Sequence, residues 1–271
     1  AAGARAALVA AASHHAPEAR EARAYGLAAL QNLSSEEAES MWQDEGGARL
    51  AVLQAALLTD DADVKARACA TLVMHSFARV PANRSAMWQD SGARAAALMA
   101  ASASGSIELE VRESGLLVLC HLASEAAIAE KIWKDIEARS AIVKGAQLIE
   151  PHNLRNRLIA LRAVQELASV AALRADIWCD EGARAAVLAA AAATNSSRLR
   201  ESAYRILLAC SSDKDNKELM WADEATRAMM CSGVQCDGAA YRRVRICAAG
   251  SLQNLTSAPR LKNLVWADVE V

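Results

Sequence analysis

Trp178-Cys179-Asp180-Glu181-Gly182-Ala183-Arg184 is the stretch on which the fold turns, because its opening W-x-D frame stands in the chain six times. The tryptophans are Trp42, Trp88, Trp133, Trp178, Trp221 and Trp266, spaced 46, 45, 45, 43 and 45 residues apart, and they are all the tryptophans the chain has. The frame usually runs on to Gly-Ala-Arg. A bulky, rare residue at a near-constant interval marks an internal repeat, so the chain is one unit copied about six times.

Working outward from that frame, each unit divides into three helical pieces. A short first helix ends at W-x-D, a second runs from Gly-Ala-Arg through an apolar stretch such as residues 182–193, and a polar turn such as Thr194-Asn195-Ser196-Ser197 breaks it. A third, longer helix closes the unit, at 16–34, 62–78, 106–123, 153–170, 197–211 and 239–257. No alternating run bounded by hairpin turns competes, so the expected fold class is all-α. The expected organisation is a single repeat domain over 1–271: a partial repeat 1–34, full repeats about 35–80, 81–123, 124–170, 171–212 and 213–257, and a partial repeat 258–271.

The third helices align in columns. Counted back from the terminal residue (Leu33, Phe77, Leu122, Leu167, Cys210, Leu255), position −3 is always large and apolar. Position −7 is always small: Gly26, Ala70, Gly115, Ala160, Ala203 and Ala248. These offsets share one helical face, and the small residue lets a neighbouring helix come close. Position −10 is Arg in all six copies: Arg23, Arg67, Arg112, Arg157, Arg200 and Arg245. Such a column is expected to bond carbonyls or carboxylates at the preceding helix end. The Asp of W-x-D is placed to cap the second helix, with i,i+4 pairs expected at Asp90–Arg94, Asp135–Arg139, Asp180–Arg184 and Asp223–Arg227. The tryptophans are expected to fill the wedge between adjacent units.

With 54% apolar and 23% charged residues and a formal charge of −2, the 271-residue chain has the composition of a folded protein, with no global pull toward nucleic acid or anionic lipid. A stack of repeats also suits this length, since each unit buries its apolar face against its neighbours only. No stretch approaches the roughly 18 uncharged apolar residues of a membrane span. The opening residues 1–13 resemble a signal-peptide core, but their G-A-R-A-A returns at 182–186 and belongs to the repeat. A chain that opens in mid-unit without Met is expected to be processed or a fragment. The seven cysteines include no C-x-x-C pair, and reduced, mostly buried thiols are expected, with Cys231 and Cys236 flagged as a local pair. An intracellular, reducing compartment follows, cytoplasmic first, with an organelle left open.

Three helices in about 45 residues, a Gly between the first two, and a third helix reading Val244-Arg245-Ile246-Cys247-Ala248-Ala249-Gly250-Ser251-Leu252-Gln253-Asn254-Leu255 resemble the armadillo repeat. The segment Arg23 to Leu33 is similar, and D-E-G-A-R at 180–184 looks like the family's E-A-G-A turn. The resemblance spans essentially the whole chain and implies a right-handed α-solenoid that binds proteins along a concave face built from the third helices. Family members that import basic peptides carry Trp four residues before Asn on that helix. Here those positions hold Ala28, Leu72, Leu117, Arg162, Arg205 and Gly250, and the Asn survives only as Asn32 and Asn254. Gly is missing at Glu137 and Ala225, where an altered turn is expected.

On the ridge expected to face the concave side, positions −1, −5 and −12, the first three units carry Glu21, Lys65 and Glu110 with Asn32, Ser76 and His121. The last three carry Arg155, Arg162, Arg198, Arg205 and Arg243, with Glu166. The candidate partner-binding residues are therefore Asn32, His121, Arg155, Arg162, Arg198, Arg205, Arg243 and Asn254, and an acidic or phosphorylated protein segment is the expected partner. A solvated Arg-rich face is the competing reading. No catalytic set, metal site or cofactor is expected, because the five His lie in unrelated positions and no phosphate-cradling Gly-rich loop is present. Two functional classes remain: an adaptor or scaffold, and a structural accessory subunit built permanently into a large assembly.

Overall fold

The computed structural model describes residues 2–194 and 196–268, so that Asn195 in the polar turn, Ala1 and the closing residues 269–271 of the last partial repeat lie outside it. Two compact units divide the chain, Ala1–Ala141 and Ile142–Val271. The first holds α1 (Ala2–Ala12), α2 (Arg20–Gln43), α3 (Ala48–Ala56), α4 (Val64–Arg79), α5 (Pro81–Gln89), α6 (Ser91–Ala101), α7 (Leu109–Ala123) and α8 (Ala126–Lys134). The boundary falls inside α9 (Ile136–Ala146), and the second unit continues with α10 (Leu154–Ser169), α11 (Arg174–Cys179), α12 (Glu181–Ala191), α13 (Ser197–Ser211), α14 (Asn216–Ala222), α15 (Glu224–Val234), α16 (Arg242–Thr256) and α17 (Lys262–Ala267). Among the described residues there is no strand.

Within each unit the third helices lie side by side, α2 on α4 on α7 in the first and α10 on α13 on α16 in the second. Second helices pack on their own third helices, α1 on α2, α3 on α4, α6 on α7, α12 on α13 and α15 on α16. The small −7 column makes this possible. A Cβ on Gly115 would stand 2.3 Å from the backbone nitrogen of Ala101, and one on Gly26 2.8 Å from that of Ala12. Five of the −3 residues, Leu30, Met74, Leu119, Val164 and Leu207, are buried to within 2% of complete, as the column predicts, while Leu252 of the last third helix is only partly buried.

The W-x-D turn has one local cause. Asp90, Asp135, Asp180 and Asp223 leave the helix and accept the N–H three residues on, from Ala93, Ala138, Ala183 and Thr226, at 2.8 to 3.0 Å. Each cap ends one helix, starts the next and contributes about 1 kcal/mol. Asp223, which precedes Ala225, has φ −77° and ψ 108°, close to the −70° and 115° of Asp90, which precedes Gly92. The altered turn expected where Gly is missing therefore does not arise at Ala225: the turn asks only for an extended Asp, and no positive φ demands Gly.

Two other expectations need correction. The first helix of the unit at 35–80 is continuous with the preceding third helix, and α2 bends only at Glu37, with φ −104° and ψ 15°. Residues 33–38 hold no Pro, Gly or extended residue to stop it, whereas Val80 before Pro81 stops α4. The i,i+4 pairs at Asp90–Arg94 and Asp223–Arg227 give way to a different contact. Arg94 and Arg227 turn back to donate to the carbonyls of Trp88 and Trp221 at 3.3 and 3.2 Å and lie over the indole rings, 5.7 and 5.4 Å from their centroids. The Asp90 carboxylate is taken by the Ala93 N–H and by Arg49 of the preceding repeat, and Arg227 pairs instead with Asp268, so neither Arg turns to its own capping Asp and each lies over its indole.

Candidate functional site

Most of the residues that recur in every unit are engaged in packing within and between repeats. Trp42, Trp88, Trp133, Trp178 and Trp221 are all buried, whereas Trp266 is 91% exposed, so the wedge role holds for five of the six. Every Arg of the −10 column donates to a carbonyl at the end of the second helix or in the loop after it: Arg23 to His14, Arg67 to Asp60, Arg112 to Ala103, Arg157 to Ala146, Arg200 to Ala191 and Arg245 to Cys236, at 2.5 to 3.2 Å. Arg23 and Arg67 also pair with Asp63 and Glu108 of the following repeat. A guanidinium with five donors can satisfy a carbonyl and a carboxylate at once, which explains Arg at this position rather than Lys.

The residues that differ between units are the ones left on the surface. In the second unit Arg155, Arg162, Arg198 and Arg243 are exposed and Arg205 is half-buried, all on α10, α13 and α16. The sequence reading overlooked one member of this group. Glu201, at position −9 of α13, accepts from Arg205 at 2.6 Å and lies 3.7 Å from Arg243 of the next third helix. Its i,i+4 spacing to Arg205 was the available signal. Glu166 sits 3.7 Å from Arg162. Cys247 lies below this cluster, and burial pushes its thiol up. Asn254 directs its amide N–H groups to the Leu208 carbonyl and the Ser211 hydroxyl of α13, at 3.3 and 3.1 Å.

In the first unit Asn32 is exposed near the middle of α2. His121 stacks on His75 of α4, ring centroids 5.2 Å apart and planes 24° from parallel. Burial and then the charge of Arg79 hold the His75 ring below its ordinary pKa. Two crevices of about 230 and 310 Å³ lie over the Arg20–Asp63 and Arg67–Glu108 pairs, at or below the usual size of a small-molecule pocket. Among the described residues no three His, Cys, Asp or Glu gather as a metal site, and no helix is long and apolar enough to cross a membrane.

The thiols are less buried than expected. Cys120, Cys210 and Cys247 are buried, and burial pushes Cys210 up to about 12, but Cys179 is exposed and the rest are intermediate. Cys236 faces Arg200, whose Nη2 stands 2.9 Å from its sulfur, rather than Cys231.

No protein-family model and no curated protein matches the sequence. Solved structures do. A designed armadillo repeat protein superposes with a TM-score of 0.72 at 13% identity, over 93% of this chain and 99% of that one. A structure of computationally designed armadillo repeat proteins for modular peptide recognition gives 0.73 at 13% identity, over 92% and 99%. A third, a designed armadillo repeat protein in complex with peptide (KR)4, gives 0.71 at 16% identity, over 93% and 99%. At such identities the likeness speaks for the fold, which is an armadillo-like helical repeat.

Proposed function

We propose that this armadillo-like repeat chain is a non-catalytic scaffold or adaptor that holds an extended acidic segment of a partner protein along the third-helix ridge of its second unit. The observation that carries the reading is the division of labour among the arginines. Those of the repeated columns are engaged in the seams, while Arg155, Arg162, Arg198, Arg205 and Arg243 sit on one ridge of α10, α13 and α16. Five cations against Glu166 and Glu201 leave that ridge net positive by three in a chain whose total charge is −2.

Such a field attracts an acidic strand and orients it before contact. The designed proteins of the same fold include one holding peptide (KR)4, a basic sequence. The sign of the ridge here favours the opposite charge. Replacing Arg162 and Arg205 together with Glu is expected to weaken binding of an octaglutamate peptide roughly tenfold, by fluorescence anisotropy at low salt. Unchanged binding would sink the reading.

A second reading, a structural subunit of a large assembly, draws on the exposed apolar residues Ile107, Ile136 and Ile149, each about two thirds or more exposed. A subunit of that kind should purify poorly without its neighbours, whereas the scaffold should purify alone as a monomer.

A further inference from the structure

Two guanidiniums from consecutive third helices converge on one carboxylate at the centre of the basic ridge. Arg205 of α13 reaches Glu201 at 2.6 Å, and Arg243 of α16 comes to 3.7 Å of the same oxygen, Oε1. The three side chains are 38%, 68% and 32% exposed, so the cluster is open to solvent on one side and backed by buried Cys247 on the other. Glu201 shows where an oxyanion sits when both arginines bind it.

We infer that Arg205 and Arg243 form a phosphate site for a phosphoserine or phosphothreonine of the partner segment, with Glu201 as its built-in competitor. This rests on the scaffold reading and sharpens it. The charge count separates a phosphate from a carboxylate. With Glu201 in place the cluster is net +1. An incoming Asp or Glu can only replace Glu201 like for like, and it must also bear the entropic cost of association, so it gains little here. A phosphate monoester carries roughly −1.5 to −2 and three acceptor oxygens. It can engage both guanidiniums at once, bidentate on either, and still outbid a single carboxylate for them.

Glu201 thereby makes the ridge selective. Without it any acidic strand would bind the two arginines; with it the site answers to the modified partner and only weakly to the unmodified one. The half-buried Arg205 anchors the site and the more exposed Arg243 closes on the ligand from the next repeat.

The test uses the full chain and three synthetic peptide arrays of degenerate sequence, identical except for a central phosphoserine, glutamate or serine. The wild-type chain is expected to bind the phosphoserine array roughly tenfold more tightly than the glutamate array. E201Q should raise affinity for the phosphoserine array roughly three- to tenfold, and the double variant R205A and R243A should abolish the difference between arrays. Circular dichroism of each variant checks that the helices are intact.

Equal binding of phosphoserine and glutamate arrays by the wild type, or no gain with E201Q, overturns the inference. If Arg162→Glu with Arg205→Glu still weakens octaglutamate binding in that case, the scaffold reading stands and only the phosphate site falls. Displacement of the phosphoserine peptide by single-stranded RNA or by phosphatidylserine vesicles at equal charge would also overturn it, since the site would then read charge alone.

Discussion

Gly115→Ala tests the close helix approach on which the repeat depends. Ala is the better helix former, and at an unhindered site the change gains about 1 kcal/mol. At Gly115 the new Cβ would lie 2.3 Å from the Ala101 nitrogen and 2.6 Å from the Ala100 carbonyl carbon, both backbone atoms of α6. An ordinary contact is about 1 Å longer, so α6 and α7 must part along a seam packed like a crystal. Overpacking of this kind costs ~1–3 kcal/mol, and with backbone on the receiving side the upper end applies. The net expectation is a loss of about 2 kcal/mol, after the helix-propensity gain of about 1 is subtracted.

Gly250→Ala is the matched control. Its Cβ would meet only the Cδ1 of Leu208 at 2.8 Å, the tip of a rotatable side chain. That substitution is expected to stabilise the chain by ~0.5–1 kcal/mol. Urea unfolding followed by circular dichroism should move the midpoint down for Gly115→Ala and up for Gly250→Ala. A Gly115→Ala chain at least as stable as wild type would refute the close-approach argument.

Acid stability and tryptophan burial supply two more tests. Burial pushes the Asp90 carboxyl up, but the Ala93 N–H and the Arg49 guanidinium outweigh it and hold it below its ordinary value, while the Ala48 N–H and Arg5 hold Asp44 down as well. Both carboxylates therefore contribute stability above their unfolded pKa that is lost as pH falls through the folded one; Asp90→Asn should flatten the decline of the urea midpoint between about pH 5 and pH 2, and an unaltered slope would count against the pairing. Trp133, 2% exposed, and Trp266, 91% exposed, should respond oppositely to truncation. Trp133→Ala is expected to cost ~3–5 kcal/mol. Trp266→Ala should leave the unfolding midpoint in place and remove the most acrylamide-quenchable fluorescence, and a comparable destabilisation by both would contradict the assigned burial.

Much of the fold could be read from spacing, because an apolar column at helical offsets can be buried in only one way. The Trp frame, the small −7 residues and the −10 arginines each mark a position that every unit must fill alike, and each stands in the structure where the columns put it, with exposed Trp266 as the exception. Expectations that depended on neighbours fared less well. The i,i+4 rule sees Asp90 and Arg94 on one helix face but cannot see that Arg49 of the preceding repeat takes the free carboxylate oxygen and that an indole lies within reach of Arg94. The break before residue 35 was inferred from the repeat alone, and a helix with no stop signal ran through it. On the ridge, the charges of α10, α13 and α16 were legible one by one. Their pairing was not, because Glu201 meets Arg243 across 42 positions of sequence.

The sequence by itself determined the unit, its three helices and the faces they bury, since periodicity and turn chemistry act within a few residues. Only the tertiary structure decided which partner on another repeat each guanidinium meets. Such a partner lies about one repeat away in sequence and is brought near only when the repeats stack: Asp63 for Arg23, Glu108 for Arg67 and Glu201 for Arg243.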